Sequence, residues 1–95
     1  MDSGYQELSN QFLQAATLGK SRAISALIKF DRTLIDSIDQ NNSNALMLAA
    51  GNGHVNTVEL LIRLGVKKDT VNNDLDTALI IASRAGYAEI VQIII

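Results

Sequence analysis

The chain contains no cysteine and no proline, and aromatic residues make up only 4% of its 95 residues. Without cysteine, the sequence excludes a disulfide framework, a thiolate metal site and a thiol nucleophile, and it is compatible with a reducing compartment. Because large rings are so few, aliphatic contacts between thin layers are favoured over one globular nucleus. We therefore expect a single small domain, residues 1–95, in an intracellular, cytoplasmic setting.

Neither sign of charge predominates, and long hydrophobic runs are absent from the sequence. Eight basic and ten acidic residues are scattered along the chain, and the longest basic run is Lys67 and Lys68. Nucleic acid binding needs a dense basic surface, so it is not expected. The apolar stretch from Ile90 to Ile95 is far too short to span a bilayer, and it lacks the basic face of a membrane-surface helix. We expect neither nucleic acid nor a membrane as a partner.

An internal repeat dominates what the sequence does contain. Residues 44–54 and 77–87 match at a constant offset of 33 residues, with small, apolar and glycine positions aligned together. A weaker upstream copy precedes the second by 34 residues; its matching residues are Phe12, Ala15, Ala16, Gly19, Ile24, Leu27 and Ile28. Units of such arrays bury their apolar faces only against neighbours. We predict copy one at about 5–37, copy two at about 38–70 and an incomplete copy three at about 71–95.

The residue pattern of each copy predicts two antiparallel helices. In copy two, apolar residues recur at helical spacing after Asn44 and again from Val55, and the two runs are followed by Gly53 and Gly65. Glycine adopts the left-handed backbone that ends a helix. Asn44 and its counterpart Thr77 suit helix N-caps. The polar stretch between copies, rich in Asn and Asp, predicts a projecting finger-like turn.

Copy one departs from this plan in two places. Its apolar stripe begins at Tyr5, which predicts a longer first helix that caps the array. A second helix is predicted over 21–30. The connector 31–36 holds the one extra residue that changes the offset from 33 to 34, and we expect a surface loop there.

The repeat resembles the ankyrin repeat, with its signature D-x-x-G-x-T-P-L-H-x-A-A-x-x-G-H, a V-x-x-L-L helix and a closing glycine. In copy two the matching residues are Asp39, Leu46, Ala49, Ala50, Gly53, His54, Val58, Leu60, Leu61 and Gly65. In copy three they are Thr77, Leu79, Ala82, Gly86, Val91 and Ile94. The resemblance implies an all-α ankyrin-repeat solenoid of stacked antiparallel helix pairs, joined by turns or β-hairpin-like fingers.

Two departures from the signature carry structural expectations. Met47 and Ile80 stand where the family has a histidine that joins neighbouring repeats, so those hydrogen bonds should be absent. At the turn position of the family's glycine, Asn42 tolerates left-handed backbone, whereas Leu75 does not. We therefore expect a distorted second finger.

Residues that could carry chemistry are few. The only histidine, His54, occupies the repeat's own Gly-His position, which favours a structural role over a base or ligand. The acidic cluster Asp69, Asp74 and Asp76 lacks the glycine and closing glutamate of a calcium loop, so a solvated turn is favoured. We expect no catalytic residue, no cofactor and no metal site, and the chain is not predicted to be an enzyme.

The resemblance implies a non-catalytic protein–protein interaction scaffold that binds through its finger tips and the concave face of its first helices. Carried over by register, the candidate partner-binding residues are Gln40, Asn41, Ser43, Asn52, Asn73, Asp74, Asp76 and Arg84. Thr17 and Leu18 complete the row in copy one. The alternative for any one position is a merely solvated turn residue. Because the row is polar with acidic tips, a partner with a basic or amide-rich surface is expected.

The last copy supplies two further alternatives. It ends at the apolar residues Ile93, Ile94 and Ile95 with no polar closing unit, although terminal units of a solenoid normally turn a polar face outward. One expectation is therefore a recognition or spacer segment of a larger multi-repeat enzyme or effector. The other is self-association through the uncapped C-terminal repeat.

Overall fold

The computed structural model describes residues 3–95, which form stacked helix pairs. The elements in chain order are α1 (Ser3–Leu18), α2 (Ser21–Phe30), a 3-10 helix (Arg32–Asp36), α3 (Ala45–Gly51), α4 (Val55–Arg63), α5 (Ala78–Ala85) and α6 (Ala88–Ile94). Within the described residues, β pairing is limited to an isolated antiparallel bridge between Ile38 and Asn44. The prediction of an all-α array of stacked helix pairs is confirmed.

The helix ends follow the predicted signals. The Asn44 side chain accepts a hydrogen bond from the Met47 amide at 3.0 Å, and Thr77 Oγ1 accepts one from the Ile80 amide at 3.3 Å. Each bond satisfies an amide that has no partner inside the helix. Helix α1 has 16 residues, against 7 in α3 and 8 in α5, so the longer first helix is also confirmed.

The helices stack in two layers. The first helices, α1, α3 and α5, contact one another in sequence, and α4 packs against α2 on one side and α6 on the other. Fully buried side chains from both layers meet between them, among them Phe12, Ile24, Leu46, Leu61 and Ile90. Because α3 is covered on both sides, copy two is the best buried of the three.

Copies one and two are joined by a hydrogen bond from an unexpected position. No histidine occupies the positions of Met47 and Ile80, but His54 Nε2 lies 2.9 Å from the carbonyl oxygen of Thr17. A carbonyl can only accept, so Nε2 carries the proton and donates it. The predicted structural role of His54 is therefore confirmed.

The two fingers have the same backbone geometry. In finger one, residues 39–43, the Asp39 amide donates to the Ser43 carbonyl at 3.0 Å; in finger two, residues 72–76, the Asn72 amide donates to the Asp76 carbonyl at 3.0 Å. Asn42 and Leu75 have φ values of 62° and 63°. The expectation of a distorted second finger was therefore wrong. Leu75 instead accepts a left-handed backbone, which costs a non-glycine residue about 1–2 kcal/mol.

The connector of copy one is folded inward. It forms the 3-10 helix Arg32–Asp36, whose Leu34 side chain is fully buried in the core. The Asp31 carboxylate caps this helix by accepting from the Thr33 amide at 3.0 Å, and Tyr5 Oη donates to the Thr33 carbonyl at 3.2 Å. The prediction of a surface loop was wrong, because the apolar side chain in the middle of the segment reaches the core.

Candidate functional site

The candidate site lies where the tips of the two fingers meet. The Asn73 amide donates to the Asn41 carbonyl at 2.9 Å, and Asn42 Nδ2 donates to Asn73 Oδ1 at 2.6 Å. Asn73 Nδ2 also reaches the Gln40 carbonyl at 3.4 Å. These bonds hold the tips in a fixed register. We call the exposed tip residues Gln40, Asn41, Asn73 and Asp74 the finger ledge.

Two predicted site residues lie inside the fingers. Ser43 is 6% exposed and Asp76 is 9% exposed. The amides of Asn41 and Ser43 both donate to one oxygen of the Asp39 carboxylate at 2.9 Å, so Ser43 helps to form the turn. Both were predicted as partner-binding residues, and both side chains are turned away from solvent. Residue register gives the position of a side chain along the chain, but it does not give its direction.

Asp76 is bound to another predicted site residue. Arg84 Nη1 donates to Asp76 Oδ2 and Arg84 Nη2 donates to Asp76 Oδ1, each at 2.9 Å. Hydrogen bonding from this guanidinium lowers the pKa of Asp76 below its ordinary value, against the effect of burial, and it raises the pKa of Arg84. The bidentate pair neutralises the charge of Asp76. Asp74 therefore carries the unpaired acidic charge of the finger ledge.

The remaining predicted residues lie at the far ends of the first helices. Asn52 follows α3, at the end opposite finger one, and its Nδ2 donates to the Leu48 carbonyl at 2.7 Å. In copy one, Thr17 Oγ1 donates to the Leu13 carbonyl at 3.0 Å, and Leu18 is half exposed. The side chains of Asn52 and Thr17 thus bond to carbonyls of their own helices. Because these residues lie at the far helix ends, they are separate from the finger ledge.

Sequence reasoning missed a groove between α1 and finger one. The groove is open to solvent and has a volume of about 870 Å³. Its lining residues are Gln6, Asn10, Ile38, Asp39, Gln40 and Asn41. Gln6 and Asn10 are one helical turn apart, and Gln6 Nε2 donates to Asn10 Oδ1 at 3.0 Å. The sequence signal was the polar i, i+4 spacing on α1, which marks one face of a helix.

Two other kinds of site are absent from the described residues. Within residues 3–95, no three His, Asp or Glu side chains come together in a way that could hold a metal ion. None of the helices in that range is both long enough and apolar enough to cross a bilayer.

Comparison with known proteins places this geometry in a family. The family model for ankyrin repeats, in three copies, matches residues 12–95. The chain is 33% identical over 89 residues to NAD-capped RNA hydrolase NUDT12 of Homo sapiens, covering 94% of the chain and 19% of that protein. It is 35% identical over 86 residues to short transient receptor potential channel 3 of Rattus norvegicus, covering 90% of the chain and 9% of the channel.

A third relative is the transient receptor potential cation channel subfamily A member 1 homolog of Caenorhabditis elegans. It is 33% identical over 79 residues, covering 83% of the chain and 6% of that protein. The chain thus spans less than a fifth of the length of each of these curated relatives. The family match, the stacked helix pairs and the paired fingers agree, and the chain belongs to the ankyrin repeat family.

Proposed function

We propose that the chain is a non-catalytic protein–protein interaction scaffold, which binds a partner through its finger tips and the concave face of its first helices. Ankyrin repeats generally serve as protein-interaction modules, and the family match supports that role here. The predicted partner surface was basic or amide-rich. Since Arg84 neutralises Asp76, the amide-rich alternative is now favoured.

The observation that carries this proposal is the fixed register of the two fingers. The bonds from Asn73 to Asn41 and from Asn42 to Asn73 hold exposed polar tips in place before any partner arrives. A surface that is ordered in advance loses less conformational entropy on binding than a mobile loop does. The finger ledge is therefore suited to recognition.

The proposal is tested by affinity capture from a cytosolic lysate with two matched variants. The ledge variant carries Gln40→Ala, Asn41→Ala and Asp74→Ala, all at exposed positions whose side chains do not join the fingers. The control variant carries Asn56→Ala, Glu59→Ala and Gln92→Ala, at exposed positions of α4 and α6. Circular dichroism must first show equal helicity.

We expect a protein held by the wild-type chain to be retained by the control and reduced at least about tenfold on the ledge variant, since loss of one or two hydrogen bonds suffices for that change. Quantitative mass spectrometry of the eluates measures the ratio. Equal retention by the two variants would refute binding through the finger ledge.

A second proposal is that the chain is a recognition or spacer segment of a larger protein. The relatives support it, because the match covers only 19% of a hydrolase and 9% and 6% of two channels. On this proposal, the ankyrin unit presents a surface while chemistry or transport resides elsewhere. The activities of those relatives are not assigned to this chain.

Self-association is a third proposal, supported by the outer face of copy three. Ile80 is 41% exposed, whereas its counterpart Met47, covered by copy three, is 2% exposed. The substitution Ile80→Glu alters this face, whereas Ile94 is buried within its own copy. Light scattering should give a mass that rises with protein concentration for the wild type and not for Ile80→Glu. A constant mass for the wild type would exclude the proposal.

A further inference from the structure

The groove between α1 and finger one is lined by side-chain amides and carries no cation. Gln6 and Asn10 contribute from the helix, and Gln40 and Asn41 contribute from the finger. Asp39 is the only charged residue in the lining, and one of its carboxylate oxygens already accepts two backbone amides at 2.9 Å. Every other polar lining group is neutral, so the groove is built for hydrogen bonding and not for charge pairing.

Much of this hydrogen-bonding capacity is free. Among the described side chains, Gln40 and Asn41 make no side-chain hydrogen bond, and Gln6 and Asn10 bond only to each other through Nε2 and Oδ1. A primary amide has both a carbonyl acceptor and N–H donors, as a peptide group does. The groove therefore offers donors and acceptors in equal measure, which suits a ligand that presents both at short intervals.

The spacing of these amides matches an extended peptide. Residues four apart on a helix are separated by about 6 Å along its axis. In an extended strand, groups that point to the same side recur every two residues, or about 6.7 Å. A second, smaller groove of about 380 Å³ continues past Asn10 along α1 and includes Gln14, the next amide at the same spacing. An extended segment of about five residues covers this distance.

The residues that line the groove do not suit a phosphate-containing ligand or a sugar. No Lys or Arg faces the groove, which leaves the phosphates of a nucleic acid or phosphopeptide unpaired. No aromatic residue lines it, so a sugar ring has no stacking surface. Ile38, which is 49% exposed, supplies an apolar contact for a side chain of the ligand. A neutral peptide uses both features.

We propose that this amide groove binds an extended, uncharged peptide segment through the peptide's main chain. The inference rests on the proposed scaffold function and specifies the partner at one part of the concave face. Gln6, Asn10, Gln40 and Asn41 bond to backbone N–H and C=O groups, and Ile38 contacts one side chain. Selectivity comes from the extended conformation and from the absence of charge.

The test uses a phage library of random nine-residue peptides, selected on the wild-type chain in parallel at 50 mM and 500 mM NaCl. An enriched peptide is then synthesised in two forms, one of them N-methylated at alternate backbone amides. The groove variant carries Gln6→Ala, Asn10→Ala and Gln40→Ala; the control carries Asn56→Ala and Gln92→Ala, which remove amides from exposed positions on α4 and α6. Binding is measured by calorimetry, and the side-chain NH₂ signals are followed by NMR.

We expect the enriched peptide to bind the control variant within about twofold of the wild type and the groove variant at least about tenfold more weakly, as loss of two hydrogen bonds requires. Backbone N-methylation should weaken binding by a similar factor. Reducing NaCl to 50 mM should change the affinity by less than about twofold, because no ion pair forms. The NH₂ signals of Asn10 and Gln40 should shift.

Three results would overturn the inference. Peptides rich in Lys or Arg whose binding weakens with salt would show that Asp39 or Asp74 directs recognition. Peptides that bind the groove variant as well as the wild type would place the contact elsewhere on the concave face. If no peptide is enriched, the proposal that the groove binds a peptide is refuted. In each case the ledge variant in the lysate experiment still decides the scaffold function separately.

Discussion

Gly19→Ala should destabilise the chain by about 3 kcal/mol. Gly19 has a φ of 73°, and a Cβ built on it would lie 2.6 Å from Nδ1 of the His54 ring. Left-handed backbone costs alanine about 1–2 kcal/mol. The steric overlap adds about 1–3 kcal/mol, because the ring cannot move away without breaking its bond to the Thr17 carbonyl. Urea unfolding followed by circular dichroism measures the difference.

Gly86 provides a matched control for the backbone term. Its φ is 84°, and no atom lies within 4 Å of a Cβ built there. Gly86→Ala should therefore cost only about 1 kcal/mol, through conformation alone. His54→Ala provides the second control, because it removes the ring that the new Cβ would overlap. In that background, the loss of stability caused by Gly19→Ala should fall to the loss caused by Gly86→Ala. Equal costs at Gly19 and Gly86 in the wild-type background would contradict the predicted overlap.

The same contact recurs one copy later. A Cβ on Gly53 would lie 3.0 Å from the ring of Tyr87, which stands in copy three where His54 stands in copy two. Each of these glycines therefore has two roles: it ends the first helix of one copy, and it leaves room for a ring from the next. Only the first role could be predicted from the sequence, because it depends on local backbone. The second depends on how adjacent copies stack.

The fold was largely predictable because the repeat is strongly periodic. The second helix of copy one begins at Ser21 and ends at Phe30 as predicted, and Asn44 and Thr77 cap helices as expected. The regular geometry of finger two was not predicted, because its hydrogen bonds to finger one outweigh the preference of Leu75 for a right-handed backbone. Local propensity was overridden by contacts between copies.

The candidate site was less predictable than the fold. Register placed Gln40, Asn41, Asn73 and Asp74 in one row of candidate residues, and all four are exposed in the structure. It could not show that Asp76 turns inward to meet Arg84, because that pair joins a finger to the following helix. The amide groove was missed for a similar reason, since Gln6 and Gln40 come together only when α1 packs beside finger one. Sites formed between elements need tertiary structure.

Leu34→Ala should lower the free energy of unfolding by about 3 kcal/mol. Leu34 is fully buried, although it lies in the 3-10 helix of five residues between α2 and finger one. Removing a buried leucine side chain loses its transfer free energy and leaves a cavity, at a cost of about 2–5 kcal/mol. The 3-10 helix is capped by Asp31 and contacted by Tyr5, so it cannot readily collapse to fill the space.

Phe30→Ala is the matched control, because it removes a larger apolar side chain four residues away from a position that is 74% exposed. A surface position of this kind should change stability by no more than about 0.5 kcal/mol. Urea midpoints of the two variants, compared at equal m-value, measure the difference. If the connector were a surface loop, both substitutions would have small effects. A large effect at Leu34 alone would mean that the connector of copy one is part of the core and helps to anchor α1 to the array.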